Sequence, residues 1–265
     1  MSPYLILLPL VTVLSYLGRR YGSYGIRNAS VFLVGLLLIL FAGLRHFSVG
    51  ADTEVYVRHF FSVNSIEDAW RTTEVGYYTL NYLAANIYRD YSVLFILTAL
   101  IVVSCYMAVL VRLVKRYETA IFLFVALGFY TFFFNGARQG LAASLCFLAM
   151  PALLERKPRQ YFLIISVAFL FHHAALVALP LYYLAKPYVR WRQILLICCG
   201  VFIFSTFLSV FVKLAAQFVD DGYASYAEEA SGGGRVMTAF LVIQGAILFF
   251  IGSRRGEDER VQSSP

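Results

Sequence analysis

The chain has 265 residues, 60% of them hydrophobic and only 14% charged, with a mean hydropathy of +0.73. A soluble domain carries roughly 25% charged residues, so this composition excludes a water-soluble globular protein and calls for a hydrocarbon solvent. At ~20 residues per crossing of a ~30 Å layer, the length allows about eight crossings and leaves little for a soluble catalytic domain. An outer-membrane barrel is excluded as well, because the apolar residues form continuous runs instead of alternating along strands.

In chain order the apolar runs stand at residues 3–17, 29–44, 91–111, 119–134, 141–154, 161–185, 194–212 and 236–252. The expected fold is therefore all-α: a polytopic transmembrane helical bundle of about eight apolar segments, forming one membrane domain over residues 1–265. The first run has no basic residue before it and Arg19 and Arg20 directly after it. That is the reverse of a cleavable signal peptide and predicts an uncleaved first span with its N-terminus outside. Two connections are long and acidic, residues 45–90 and 213–235. In the first, Asp52-Thr53 reads as a helix start with Tyr56, Phe60 and Val63 on one face. Residues 74–89 carry Val75, Tyr78, Tyr82, Ala85 and Arg89 at helical spacing and predict an interfacial helix lying on the membrane. The tyrosines of this region fit an aromatic belt at the headgroup level, with stacking on sugar rings as the alternative. Ser231-Gly232-Gly233-Gly234 reads as a loop tip. Cys105, Cys146, Cys198 and Cys199 fall inside apolar runs with no metal-type spacing, as small buried or lipid-facing side chains do.

The net charge of +7 acquires meaning only when divided between two sides. If residues 161–185 were one ordinary crossing, strict alternation would split the 22 Lys and Arg evenly, against the positive-inside rule. If instead that segment enters, turns at His172-His173 and leaves on the side it entered, Lys186, Arg190, Arg192, Arg254, Arg255 and Arg260 join the inside set while Lys213 and Arg235 leave it. Then 15 of the 22 basic residues lie inside, and two thirds of the 15 acidic residues lie outside. The sequence thus predicts a broken or re-entrant helix pair around His172-His173, lining a polar cavity near the outer side. Both long loops are then outer-face loops, and residues 253–265 form a cytoplasmic tail. The positive excess is an orientation signal and not a nucleic-acid footprint.

Polar residues at membrane depth are functional candidates by default. Arg45 ends the second run, Arg138 follows the fourth and Arg235 begins the eighth, so three guanidinium groups can converge on one anion. Each also admits the plainer role of a snorkelling interfacial anchor. Asp52 reads either as a helix cap or as a general base, and Glu74 as a candidate base or a first-turn acid facing water. Of His172 and His173, one is expected to line the cavity and the other to pack or to bond a backbone carbonyl. No metal is expected, since these histidines with His46, His59 and the carboxylates lack diagnostic spacing. Walker, dinucleotide, zinc-protease and serine-elbow motifs are absent.

Three stretches resemble the EpsG family of polysaccharide-biosynthesis membrane proteins, which includes Wzy-type repeat-unit polymerases. They are Gly43-Leu44-Arg45-His46-Phe47-Ser48-Val49-Gly50-Ala51-Asp52-Thr53-Glu54-Val55-Tyr56, similar to an Arg…Gly-x-Asp-Thr…Tyr signature; Asn135-Gly136-Ala137-Arg138-Gln139-Gly140-Leu141-Ala142, like an Arg-centred turn; and Phe171-His172-His173-Ala174-Ala175-Leu176 with Pro180, resembling a Phe-His-x-Ser-Ala-Leu segment. Ala174 departs from that last pattern, standing where the family usually has serine. Typical members continue through more spans, so the chain is expected either to be a compact member or to lack C-terminal helices. The resemblance implies a glycosyltransferase of the cytoplasmic (inner) membrane, acting on its outer face in exopolysaccharide or O-antigen biosynthesis. It would join undecaprenyl-diphosphate-linked oligosaccharides without a cofactor, among membrane lipids and with chain-length regulator and flippase partners. On that scheme Arg45, Arg138 and Arg235 stabilise the diphosphate, Asp52, His172 or Glu74 takes the acceptor proton, and Thr53, Tyr56 and Gln139 orient the substrate. The competing classes are a transporter or flippase for lipid-linked sugars, a membrane acyltransferase that modifies polysaccharide, and a non-catalytic accessory subunit.

Overall fold

The computed structural model describes residues 2–50, 52–63, 65–66 and 74–185; the seventh and eighth apolar runs, Arg235, the 213–235 loop, the tail, Cys198 and Cys199 lie outside them. The described residues are helical with no strands. In chain order they form α1 (Ser2–Tyr21), α2 (Tyr24–Gly43), α3 (Thr53–Ser62), α4 (Val75–Ile87), α5 (Tyr91–Leu113), α6 (Tyr117–Ala126), α7 (Phe129–Asn135), α8 (Ala137–Leu148), α9 (Met150–Leu154) and α10 (Pro158–Phe171), then a 3₁₀ turn (His173–Ala178) and α11 (Leu181–Leu184).

Four stretches are long and apolar enough to cross a membrane: Tyr24–Gly43, Tyr91–Leu113, Tyr117–Asn135 and Ala137–Leu154. The chain is thus a membrane protein, with four such helices among the described residues. α1 has the length, 20 residues, but Arg19 and Arg20 fill its last turn and it is not among the four. The third stretch bends between α6 and α7 at Gly128, whose φ of +82° an L side chain rarely adopts. The fourth steps at Ala149, next to Pro151, which sits in the first turn of α9 where no N–H is needed.

α5 is the central helix. It packs against α2, α4 and α8, burying Leu94, Phe95, Ala99, Val102 and Val103 against Val34, Leu38 and Ala42 of α2. Each such side chain removed from water contributes about 1.5–3 kcal/mol in a soluble core, but in hydrocarbon the gain comes from close packing instead. Tyr130 of α7, fully buried, donates its hydroxyl hydrogen to the Leu38 carbonyl at 2.7 Å and so ties α7 to α2.

Two expectations change here. The α4 helix forms, but the residues it buries are Tyr77, Asn81 and Ala84, not the stripe Val75, Tyr78, Tyr82, Ala85. Asn81 goes inside because its amide donates to the Tyr77 carbonyl one turn back, at 2.9 Å, which satisfies half of its polarity within the helix. Nor does α4 only lie flat on a surface: it packs on α3, α5 and α10. Gly76 meets the Leu170 backbone so closely that a Cβ there would stand 2.9 Å from the Leu170 carbonyl oxygen. By contrast α3 begins at Thr53 and buries Thr53, Tyr56 and Phe60, with Val63 buried just beyond its end.

The chain breaks at His172, whose extended backbone (φ −162°, ψ 133°) ends α10. With 14 residues α10 is about 21 Å long, short of a full crossing. The chain then reverses. Tyr161, near the start of α10, donates to the Ala178 carbonyl at 2.6 Å, and Arg156, just before α10, donates to the carbonyls of Tyr182 and Ala185. The return arm therefore ends beside the point where α10 began.

Candidate functional site

Arg45 follows α2, Glu74 precedes α4, Arg138 opens α8 and His172 closes α10. The up-and-down connectivity puts all four at one end of the bundle. That end is built around the Asn135-Gly136-Ala137 junction, where α7 stops and α8 begins within a single residue.

The Gly50…Tyr56 stretch docks onto this junction. Gly50 has φ +109°, and a Cβ there would stand 2.9 Å from the Phe134 carbonyl oxygen and 2.5 Å from Thr53 Oγ1. Thr53, with no exposed surface, gives its hydroxyl to Val49 O at 2.7 Å and Phe134 O at 3.1 Å. Tyr56 Oη donates to Asn135 O at 3.2 Å and accepts from Ala137 N–H at 3.0 Å. A single phenol thus serves the last carbonyl of one helix and a free first-turn N–H of the next. Burial pushes the Tyr56 hydroxyl above its ordinary pKa, which keeps it the neutral donor and acceptor this arrangement needs. Thr53 and Tyr56, expected to orient substrate, thus have their hydroxyls bonded to the backbone of the junction that leads into Arg138, and Tyr56 also lines the cleft beside it.

Glu74 is the center of the set. It is 6% exposed, Arg138 Nη1 donates to its Oε2, and His172 Nδ1 contacts its Oε1. Burial alone would raise its pKa, but the His172 hydrogen bond and the Arg138 guanidinium outweigh burial and hold the carboxyl below the usual glutamate value. An ionised carboxylate has only acceptors, so His172 carries a hydrogen on Nδ1, and in the neutral ring Nε2 is left as the acceptor. Neither Arg138 nor His172 is sealed off, their side chains being 45% and 26% exposed. Of the two readings of Glu74, a candidate base or a first-turn acid facing water, the second does not hold, because the side chain is buried. A loop acid before a helix looks like any other in sequence, and Arg138 and His172, the partners that hold it, are 64 and 98 positions away.

Arg45 does not join them. It is 7% exposed, with its guanidinium carbon 4.0 Å from the Phe95 ring centroid and 4.4 Å from that of Phe134, and Nη1 donates to Ala42 O at 2.6 Å. Burial pulls its pKa down to about 10, which leaves it charged at neutral pH. Convergence of Arg45 and Arg138 on one exposed anion is therefore corrected: Arg45 is buried against the Phe95 and Phe134 rings, with Nη1 turned to the Ala42 carbonyl, while Arg138 is exposed beside Glu74. Arg235 lies outside the described residues.

Asp52 is exposed at the start of α3; its carbonyl accepts from Val55 and Tyr56 N–H, but its carboxylate makes no cap hydrogen bond. It lies within electrostatic reach of the Tyr56 hydroxyl. Gln139 is exposed beside Arg138. His173 stacks on Phe169 with ring centroids 4.9 Å apart, so the two histidines divide into one at the carboxylate and one that packs. A narrow cleft opens next to the set, lined by Tyr56, His59, Tyr77, Tyr78, Asn81 and Arg138. Among the described residues no group of three His, Cys, Asp or Glu could hold a metal ion.

Neither curated proteins nor solved structures give a match to this chain. A family model does, over residues 28–261, which takes in all three stretches singled out in the sequence. The chain belongs to the EpsG family, a family of polysaccharide polymerase-like membrane proteins.

Proposed function

We propose that this protein is a polysaccharide repeat-unit polymerase, a membrane glycosyltransferase that joins undecaprenyl-diphosphate-linked oligosaccharides on the outer face of the cytoplasmic membrane. The observation that carries this reading is Glu74 held between Arg138 and His172 at one end of the bundle. Glycosyl transfer from a lipid diphosphate needs a base for the acceptor hydroxyl and a cation for the leaving group, and this set supplies both side by side.

In this scheme the acceptor hydroxyl gives its proton to His172 Nε2 as its oxygen forms a bond to the anomeric carbon. Glu74 fixes the ring and balances the imidazolium, much as the aspartate does in a serine-protease triad. The bond from the anomeric carbon to the diphosphate oxygen breaks, and the N–H groups of Arg138 not used by Glu74 take up the charge released there. Asp52 is a secondary candidate for the base, because its carboxylate is exposed and makes no cap hydrogen bond. The reversal at His172 is read as a re-entrant hairpin whose tip faces outward, with the N-terminus outside and the C-terminus in the cytoplasm.

The test is reconstitution of the purified full chain with lipid-linked repeat units, followed by sizing of the glycan. Glycan elongation at wild-type level that is lost in His172→Ala supports the reading. Transfer of unextended units across the bilayer with no elongation would overturn it in favour of a transporter.

A further inference from the structure

At the other end of the bundle lies a second polar feature that the proposed chemistry does not use. α2 has 20 residues and so is about 30 Å long, with Arg19 of α1 near its start and Arg45 just past its end. Between α1 and α6 at the Arg19 end runs an open groove of about 560 Å³, lined by Thr12, Val13, Tyr16, Arg19, Arg116, Glu118, Thr119 and Phe122. This volume falls within the ~300–1,000 Å³ of small-molecule sites.

The groove is graded along its length. Arg19 ends α1 and Arg116 starts α6, so both guanidinium groups stand at the rim. Val13 and Phe122 lie six residues further in along their helices, about 9 Å deeper. Val13, Tyr16 and Phe122 remain 52%, 43% and 38% exposed. The two cations differ. Arg19 is fixed by Glu118, Nε to Oε2 at 2.7 Å, and Glu118 is buried. Arg116 is exposed and has no ion pair with any described residue, so it carries the uncompensated charge. Arg20 and Lys115, next in sequence to these two, add to the positive field.

A cationic rim over an exposed apolar trough, between two helices that reach membrane depth, matches the order of groups in one class of molecule. We propose that the α1–α6 groove binds an anionic diacyl phospholipid, with its phosphate on Arg116 and the outer edge of Arg19 and an acyl chain along Val13, Tyr16 and Phe122. Glu118 sets the specificity in part: it neutralises Arg19 and leaves Arg116, in the field of Arg20 and Lys115, to meet the phosphate. The lipid would brace α1, whose last turn carries Arg19 and Arg20, against α6.

The test uses the full chain in phosphatidylcholine proteoliposomes containing chain-spin-labelled phosphatidylglycerol or phosphatidylcholine, with the protein-bound fraction of each label read by electron paramagnetic resonance. The wild type is expected to prefer phosphatidylglycerol. Arg116→Gln should lower that preference about fivefold, the effect of one basic side chain near a lipid phosphate. Arg112→Gln, at the same end but outside the groove, should leave the preference unchanged. Thr119→Trp keeps every charge but fills the groove, and should abolish the preference while the protein still melts normally in neutral lipid. Equal binding of the two lipids by the wild type, equal losses in Arg116→Gln and Arg112→Gln, or retained preference in Thr119→Trp would each overturn the proposal.

Discussion

Glu74→Gln is the sharpest probe of the site because it changes charge and tautomer with almost no change in size. The carboxylate accepts from Arg138 and from His172 at once. An amide has one accepting oxygen, so only one of these bonds can persist unchanged, and Arg138, which cannot accept, will take it. The amide NH2 then faces His172 Nδ1 and can bond only to a ring nitrogen without hydrogen. That moves the ring hydrogen to Nε2, the atom proposed to receive the acceptor proton. Loss of a positioned base costs about 10²–10⁴ in rate, equivalent to roughly 3–5 kcal/mol of barrier. Stability should fall much less, by about 1–2 kcal/mol, because Arg138 is nearly half exposed and its pairing is screened. The pH dependence has a definite sign. The folded-state pKa of Glu74 is depressed, so its stabilisation is complete above the ordinary glutamate value and fades as pH falls through the folded value. The variant should therefore lose less stability on acidification than the wild type. Chain-extension rates on lipid-linked repeat units, with melting temperatures between pH 3 and 7, read both effects. A Glu74→Gln protein that elongates at the wild-type rate would refute the argument that Glu74 sets the His172 tautomer.

Other outcomes follow from the same geometry. Arg138→Ala should abolish long polymer with little change in protein level, whereas Arg45→Ala, which leaves a hole beside Phe95 and Phe134, should cost the several kcal/mol of stability of a buried truncation and so lower both melting temperature and protein level; immunoblots beside polymer gels separate the two. Tyr56→Phe leaves the Ala137 N–H and Asn135 carbonyl without their partner and should cost about 1–3 kcal/mol in denaturation, with a smaller loss of elongation as Arg138 shifts. Tyr183→Cys, on the return arm held beside Arg156, should stay unlabelled by an impermeant maleimide added outside intact cells, and ready labelling would end the proposed hairpin orientation.

The sequence carried the coarse architecture well, since continuous apolar runs admit little besides membrane helices. It also carried the break at His172, because only a turn there gathers most of the lysines and arginines on one side of the membrane. Three things were not legible there. The slot around Arg45 is made by Phe95 and Phe134, far apart in the chain, and an arginine at a helix end looks the same whether it faces water or rings. Thr53 and Tyr56 belong to a motif, and a motif marks importance without saying whether a hydroxyl meets a ligand or the backbone. The inward face of α4 was misread because periodicity counts Asn81 as polar, while its amide is partly satisfied within the helix.

The Tyr56 bridge has a consequence for inheritance as well as for architecture. Residues 50–56 and 134–138 are some 80 positions apart, yet they form one piece, with a hydroxyl of the first completing the helix junction of the second. Neither can drift freely, and a chimera that takes one segment from a relative without the other would join mismatched halves. Swapped together they should travel as a cassette, which makes this pair of segments the natural unit for transplanting Arg138 between members of the family.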